Sequence, residues 1–232
     1  MKARAIVAVV GVGAVLGMPL WGPPALRPFA FFAVRRVELV GTRFLSPDVV
    51  VGALALRPEA SVWDRLGPMA ERVRGLPGVA EVAVGRRLPG ALRVTIREVE
   101  PVALAAGAEG LIPVAADGRP LPYDPARVVV DAPVVQRADP LLVRALEVVR
   151  TADPTLYATV ASARTAAGGE LQLDIEDRGR LRMATPVSPE VVRAIAAVGR
   201  DLDSRSQAWR ELDGRFGGWV VVRRPGKAEA SS

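Results

Sequence analysis

An uncharged segment near the N-terminus constrains this chain more than any other sequence feature. Ala5 to Gly22 contains no charged side chain, and the two cations Lys2 and Arg4 precede it. A helix needs about 17–25 mostly apolar residues to cross a bilayer, and its cationic end stays in the cytoplasm. The segment therefore predicts a short cytoplasmic start at 1–4, one transmembrane helix at 5–22 and a juxtamembrane linker at 23–33.

A cleaved signal peptide is the alternative explanation of the same segment. Its apolar core would run from Ala5 to Leu16, followed by a cut near Gly17. The Ala-x-Ala pattern typical of such a cut is absent, because only Val15-x-Gly17 stands at that place. We favour an uncleaved anchor, and both explanations put Arg27 and everything after it outside the cytoplasm.

The residue types that the sequence lacks exclude whole classes of chemistry. The chain has no His and no Cys, so Ser–His–Asp and Cys–His catalysis, disulfides and ordinary zinc sites are impossible. The only lysines, Lys2 and Lys227, lie at the two ends, which argues against a buried Ser–Lys pair. We therefore predict a non-enzymatic protein with no catalytic residue, cofactor, metal or small-molecule substrate.

The positive charge does not indicate a nucleic-acid-binding protein. The net charge is +6, but the arginines are scattered and form no run of five or six basic residues. Aromatic residues make up only 5% of the chain, which is too few for a base-stacking surface. We predict that nucleic acid is not a partner.

Two pairs of carboxylates have a spacing that suits acid–base chemistry. Glu98 and Glu100, like Asp174 and Glu176, are two residues apart, and on a strand this spacing points both side chains to one face. A glycosidase uses such a pair. The solvated face of an amphipathic strand has the same pattern, and this is the interpretation we favour.

The first half of the extracytoplasmic part has the element order β-α-α-β-β. A β-branched strand at Val34–Val40 precedes a helix that Ser46-Pro47-Asp48 caps, and a second helix runs from about Asp64 to Arg74. Two strands follow, Val79–Arg87 and Leu92–Glu98, separated by Leu88-Pro89-Gly90. Six side chains are expected to point inward: Val37, Leu39, Val82, Val84, Val94 and Ile96.

The second half mixes short strands with two amphipathic helices. Strands are predicted at Val102–Ala105, Leu111–Val114, Leu171–Ile175 and Arg180–Ala184, and a last strand at Trp219–Arg223. Asp139-Pro140 begins one helix, with Leu141, Leu142, Ala145, Leu146 and Val149 on its apolar face. Ser188-Pro189-Glu190 begins the other. Residues 119–137 are proline-rich and are predicted to be irregular.

These motifs resemble the FtsQ/DivIB family of cell-division proteins. The first is Phe32-Ala33-Val34-x-x-Val37-x-Leu39-x-Gly41, and the second is Leu76-Pro77-x-Val79-x-x-Val82-x-Val84-x-Arg86-x-x-Pro89. Leu92-x-Val94-x-Ile96-x-Glu98-x-x-Pro101-Val102-Ala103 completes the set, and Asp213-Gly214-Arg215-Phe216 resembles the end of the family's β domain. The resemblance covers about residues 29–224.

The resemblance implies an α+β fold in which a single N-terminal transmembrane helix precedes two extracytoplasmic domains. A POTRA domain is expected at 34–100, a mixed α/β "β domain" with an extended sheet at 101–224, and a disordered tail at 225–232. The implied function is a bitopic divisome scaffold of the cell (inner) membrane at the division septum, with its N-terminus in the cytoplasm and its C-terminal domain periplasmic. FtsB/FtsL homologues are the implied partners. The alternatives are a POTRA-containing envelope transport or assembly component and an envelope enzyme, and the sequence favours neither.

The resemblance also points to a partner-binding site on the final strand. In the FtsQ branch this strand contacts FtsB, and a final strand at a sheet edge can accept an incoming strand. The residues that match it are Arg215, Phe216, Trp219, Val220, Val221 and Val222. Phe216 and Trp219 would be the anchors, and Arg215 would pair with an acidic residue of the partner. The alternative is that Trp219 and the valines simply fill the core.

Overall fold

The computed structural model describes residues 26–108, 110–124 and 128–226. The cytoplasmic start and transmembrane helix predicted for 1–22 lie outside these residues, as does the tail from 227 onward. Within the described ranges, no helix has the length and apolar character that a membrane crossing requires. Contacts divide the chain into two units, 1–99 and 100–232, and this division falls one residue before the predicted domain boundary.

The first unit has the β-α-α-β-β order that the sequence predicts. It consists of β1 (Arg36–Val40), α1 (Pro47–Leu54), α2 (Leu66–Arg74), β2 (Val79–Arg87) and β3 (Ala91–Glu98), and a short 3-10 helix at Ala30–Phe32 precedes them. The sheet order is β1-β3-β2, with β1 parallel and β2 antiparallel to the central strand. The helices and β3 supply most of the core: Val50, Leu54, Met69, Val73, Leu92, Val94 and Ile96.

None of the six side chains predicted to point inward is exposed. Val94 and Ile96 are buried on the central strand, whereas the other four lie on the two outer strands and are half-buried. The central strand is covered on both edges by its neighbours, so its inward side chains lose more solvent contact than those of β1 and β2. The predicted alternation is therefore correct, and the position of each strand in the sheet sets the depth of burial.

Two residues of the family motifs fix the chain after β1. Gly41 has a φ of +86°, and a Cβ placed there would lie 2.1 Å from the Ile96 carbonyl oxygen, so only glycine fits. The Glu98 carboxylate accepts hydrogen bonds from the backbone N–H groups of Arg43, Phe44 and Leu45 at 2.8–2.9 Å. Glu98 thus holds a loop, which explains one member of the Glu98/Glu100 pair without chemistry.

The second unit is built on an eight-stranded mixed sheet with the order β11-β10-β9-β8-β7-β6-β4-β5. Its strands are β4 (Ala103–Gly107), β5 (Gly110–Val114), β6 (Val134–Val135), β7 (Val160–Ala166), β8 (Glu170–Ile175), β9 (Gly179–Met183), β10 (Glu211–Phe216) and β11 (Trp219–Arg223). Its helices are α3 (Pro140–Ala152), α4 (Pro154–Tyr157) and α5 (Pro189–Ser204).

One core joins the two long helices to one face of this sheet. Leu142, Leu146 and Val149 of α3 and Val192 and Ile195 of α5 are buried in the same cluster as the inward residues of the strands. Those strand residues are Leu171, Leu173, Ile175, Leu181, Met183 and Leu212. Because side chains alternate along a strand, the residues between them lie on the opposite face of the sheet, and most of these are polar or charged.

Several parts of the second unit differ from the sequence prediction. Leu141, expected on the apolar face of its helix, is 77% exposed, although Leu142 and Val143 in the same turn of α3 are buried. Leu141 therefore lies at the edge of the apolar face, where the sheet does not cover it. The strand β7 was missed, since its small residues Ala161, Ser162 and Ala163 carry little β-sheet signal. Residues 119–137 are not wholly irregular, because they contain the two-residue strand β6.

Candidate functional site

The strand β11 forms one border of the eight-stranded sheet. Among the described residues it pairs with β10 alone, in antiparallel register from Glu211 opposite Arg223 to Phe216 opposite Trp219, with an irregularity between Asp213 and Phe216. A border strand has one row of backbone N–H and C=O groups that no neighbouring strand uses. This is the sheet edge that the sequence predicts for the final strand.

The opposite border, β5, is less open. Pro113 within it has no N–H to donate, and its carbonyl oxygen accepts a hydrogen bond from the Leu121 N–H at 2.8 Å. Val114 also bridges to Pro120, so the following segment covers the C-terminal part of this strand. Of the two borders, β11 offers the longer uncovered row among the described residues.

The six predicted site residues divide into exposed and inward groups. Trp219 is 77% exposed, Phe216 50% and Val221 41%. Val220 and Val222 are half-buried and pack against the core, with Val222 opposite Leu212. The two inward valines therefore anchor β11 to its own sheet, and the apolar surface available to another molecule comes from the other three side chains.

Arg215, the sixth predicted residue, is engaged within the chain. Its Nη2 and Nε atoms donate to the two Asp213 carboxylate oxygens at 2.6 and 2.8 Å, and its Nη1 donates to Glu170 Oε1. Its guanidinium also lies 5.6 Å from the centre of the Phe216 ring. An acidic group on another molecule would compete with these two carboxylates, so the geometry favours Arg215 as a support for Phe216 instead of a direct contact.

The same hydrogen bonds explain the electrostatics of this region. Asp213 is fully buried, and the bonds from Arg215 hold the pKa of its carboxyl below the ordinary value despite that burial. Hydrogen bonds from Arg182 and Arg215 likewise lower the pKa of Glu170. In turn, Asp213 and Glu170 raise the pKa of the Arg215 guanidinium. All these groups are charged at neutral pH.

The charged pairs extend across four neighbouring strands. Arg182 on β9 donates to Glu170 on β8 at 2.6 Å and lies 3.6 Å from the Glu211 carboxylate on β10. Arg223 on β11 lies 3.4 Å from the same Glu211 oxygen. This charged face links β11 to the middle of the sheet by side chains as well as by backbone hydrogen bonds.

A small apolar cavity lies beside the exposed residues of β11. It has a volume of about 320 Å³, and its lining includes Val191 and Ala194 of α5 together with Gly214, Trp219 and Val220. A Cβ at Gly214 would lie 2.6 Å from Ile195 Cδ1, so glycine at this position lets α5 approach β10 closely. The cavity can accept one apolar side chain from a molecule that lies along β11.

Sequence reasoning missed Glu170, Arg182 and Asp213. A signal for Asp213 is present: Glu211, Asp213 and Arg215 alternate with Leu212 and Gly214, which places three charges on one face of a strand. The contribution of Glu170 and Arg182 depends on which strands are neighbours, and no local pattern contains that information. Asp174, of the second predicted carboxylate pair, accepts hydrogen bonds from Arg180 and Ser162 at 3.1 Å and so has a structural role.

Comparison with known proteins places these features in one family. The FtsQ-type POTRA domain family matches residues 32–98. Cell division protein FtsQ of Mycobacteroides abscessus is 32% identical over 180 residues, which cover 74% of this chain and 54% of that protein. Cell division protein FtsQ of Mycobacterium tuberculosis is 28% identical over 181 residues, which cover 76% of this chain and 55% of that protein. The protein of the same name from Mycobacterium bovis matches to the same extent.

The chain spans about half the length of the curated relatives it matches. The matched region is nevertheless most of the present chain, and the POTRA match coincides with the β-α-α-β-β unit and its motif residues Gly41 and Glu98. Sequence motifs, unit architecture and relatives therefore agree, and the chain belongs to the FtsQ/DivIB family of cell-division proteins.

Proposed function

We propose that this protein is a non-enzymatic scaffold of the divisome. The N-terminal segment 5–22 anchors it in the cell (inner) membrane at the division septum, with the N-terminus in the cytoplasm. The two described units lie outside the cytoplasm and bind other bitopic division proteins of the FtsB/FtsL type. The family membership and the names of the relatives, each a cell division protein FtsQ, support this proposal.

The observation that carries the proposal is the uncovered border strand β11 with its three exposed apolar side chains. An extended segment of a partner adds to β11 as a ninth strand and uses its free N–H and C=O groups. Backbone hydrogen bonds of this kind supply affinity that does not depend on sequence. Phe216, Trp219 and Val221 supply the contacts that depend on sequence, because they alone among the six residues combine apolar character with substantial exposure.

The residues around β11 make this edge rigid and leave a cavity beside it. The bonds from Arg215 to Asp213 and Glu170 hold the end of β10, and Phe216 lies against the same guanidinium. A rigid site loses less conformational entropy when a partner binds. The cavity between α5 and Trp219 offers a place for one apolar anchor of the partner, and buried anchors of this type dominate the energy of interfaces.

The first experiment removes the exposed side chains without disturbing the fold. We expect Phe216→Ala and Trp219→Ala each to weaken capture of the FtsB homologue by at least about tenfold, the effect of removing an interface hot spot. Stability should change little, because both side chains are at least half exposed. Affinity is measured with the purified full chain, and unfolding in urea is followed in parallel.

Leu141→Ala is the matched control for the first experiment. Leu141 is as exposed as Trp219, at 77%, but it lies on α3 and not on the sheet border. Capture by this variant should equal that of the wild type. A loss of the same size in Leu141→Ala would mean that any large exposed apolar residue matters, and the site would not be β11.

The second experiment tests the backbone of the strand. Val222→Pro removes an N–H group from the free side of β11. The Arg223 carbonyl oxygen accepts a hydrogen bond from the Arg210 N–H, so the backbone groups of Arg223 and Val221 face β10 and those of Val222 face outward. We expect the variant to keep its circular dichroism spectrum and to lose capture. If this variant and Phe216→Ala both fold normally and bind the FtsB homologue at wild-type levels, the partner site lies elsewhere.

A further inference from the structure

A basic cleft lies in the first unit, remote in sequence from the strand proposed to bind partners. Its volume is about 400 Å³, and it is lined by Arg27, Arg57, Arg65 and Arg72, with Asp64 as the one carboxylate among its lining residues. The apolar part of the lining comes from Ala55, Leu56, Ala60 and Met69. Four guanidinium groups against one carboxylate make this a site for an anion.

Two of the four arginines are fixed in place by the protein. Arg72 donates from Nε to the Ala53 carbonyl oxygen at 3.2 Å and from Nη2 to the Leu54 carbonyl oxygen at 2.6 Å. Arg27 donates to the Trp63 carbonyl oxygen at 3.3 Å and lies 3.5 Å from Asp64. Because Asp64 Oδ2 also accepts a hydrogen bond from the Ser61 N–H, its charge is already compensated and repels an incoming anion only weakly.

The other two arginines are not held in place by contacts of this kind. The side chains of Arg57 and Arg65 are exposed, and among the described residues neither makes an ion pair or a side-chain hydrogen bond. An arginine presents its donors as a planar fork that matches the oxygens of a phosphate. The cleft therefore combines two fixed cations with two cations that are free to close on a bound phosphate group.

The position of the cleft in the chain indicates where the phosphate comes from. Arg27 follows the predicted membrane segment 5–22 by five residues, and five extended residues span at most about 17 Å. The cleft is thus tethered at the lipid headgroup region. We propose that it binds the phosphate headgroup of an anionic phospholipid, which holds the first unit against the membrane surface. This inference rests on the membrane anchor of the proposed function. It concerns a different surface and a different ligand from the partner edge, so lipid binding and partner capture can fail separately.

The test uses the purified full chain in nonionic detergent micelles. The chain has no Cys, so Glu59→Cys gives a single position beside the cleft for an environment-sensitive fluorophore. Short-chain phosphatidylglycerol, short-chain phosphatidylcholine and inorganic phosphate are titrated separately. We expect saturable binding of phosphatidylglycerol, little response to phosphatidylcholine, and binding of inorganic phosphate at least tenfold weaker than that of the lipid.

The double variant Arg57→Gln/Arg65→Gln identifies the cleft as the site. An arginine near an anionic lipid surface contributes about fivefold to binding, so the loss of two should weaken the phosphatidylglycerol affinity roughly 25-fold. The fold should be unaffected, because neither side chain has a hydrogen-bond or ion-pair partner to lose within the described part of the chain. Arg36→Gln/Arg97→Gln, which removes the same charge from exposed positions outside the cleft, is the matched control and should bind as the wild type does.

Two results would overturn the proposal. Equal losses in the cleft variant and the control variant would mean that the lipid responds to net charge and not to the cleft. Equal affinity for inorganic phosphate and phosphatidylglycerol would mean that the cleft is a site for free anions, and the lipid assignment would be wrong.

Discussion

At the scale of single residues, the most demanding feature is the fully buried carboxylate of Asp213. A buried charge is costly unless it is paired and hydrogen-bonded, and Arg215 meets that requirement with three donors, its Nε, its Nη2 and its backbone N–H. Arg215 also binds Glu170, so the residue that was expected to contact a partner instead joins β10 to β8. In the proposed partner site, its contribution to binding is therefore indirect.

Replacing Asp213 tests this role in stability. Asp213→Asn keeps the shape of the side chain but places an amide donor against the guanidinium, so we expect a loss of about 2–3 kcal/mol in the free energy of unfolding. Asp174→Asn is the control, because Asp174 pairs with Arg180 at the surface and should matter by less than about 1 kcal/mol. Urea unfolding of the full chain measures both variants. Equal losses in the two variants would contradict a special role for Asp213.

The depressed pKa values of Asp213 and Glu170 set the direction of the pH dependence. Each group contributes stability that is present above its unfolded-state pKa, 3.8 for Asp and 4.5 for Glu, and lost as the pH falls through the lower folded value. The chain has no His, so the urea midpoint should be flat between about pH 5 and 7 and should fall below that range. Asp213→Asn should show a shallower acid decline. A decline as steep as that of the wild type would assign the effect to other carboxylates.

At the scale of secondary-structure elements, the borders of the sheets matter most. The strand β11 is held by Val220 and Val222 on the core side and by Arg223 on the charged face, while no strand in the described part of the chain covers the other edge of its backbone. The segment after β5 covers part of the opposite border. This asymmetry supports β11 as the proposed position for an added strand.

Among the positions that shape single secondary-structure elements, Gly41 is where we expect a substitution to lower stability most. Gly41→Ala combines a left-handed backbone conformation with a methyl group 2.1 Å from the Ile96 carbonyl oxygen, so we expect a loss of about 3 kcal/mol or more. Hydrogen exchange should show reduced protection in β1 and β3. Gly52→Ala in α1 is the control, because no atom lies within 4 Å of the added carbon. It should be neutral or stabilising by up to about 1 kcal/mol, and a destabilised Gly52→Ala would contradict this account.

At the scale of the whole molecule, each of the two units has a core of its own. The buried cluster of the second unit draws only on residues from Val102 to Leu212, while α1, α2 and β3 fill the first. The division follows the predicted order of a POTRA domain and a β domain.

The predicted topology is tested on the intact protein in its membrane. A reporter that is active only outside the cytoplasm, fused to the C-terminus, should be active, because Lys2 and Arg4 precede the uncharged segment 5–22. N-terminal sequencing of the mature protein should not begin near Met18. An inactive reporter with a cytoplasmic C-terminus would refute the orientation, and a mature N-terminus near Met18 would refute the uncleaved anchor.

The sequence by itself determined most of the local elements and the excluded chemistry. The strand Val79–Arg87 has the predicted bounds, and Ser188 caps α5 as its position before Pro189 indicates. These features depend on residues within a few positions of one another, through alternation, helical spacing and caps. The absence of His and Cys is equally local information, since no fold can supply a residue type that the chain lacks.

Only the tertiary structure decided which surfaces are available. The open border at β11, the burial of Asp213 and its link to Glu170 all depend on how strands far apart in sequence pair, as Arg182 opposite Asp213 illustrates. The exposure of Leu141 has the same origin, because helical spacing marks an apolar face but not how much of it a neighbouring sheet covers. Backbone and side-chain preferences act over a few residues, whereas edges, burial and charge networks arise from the pairing of distant segments.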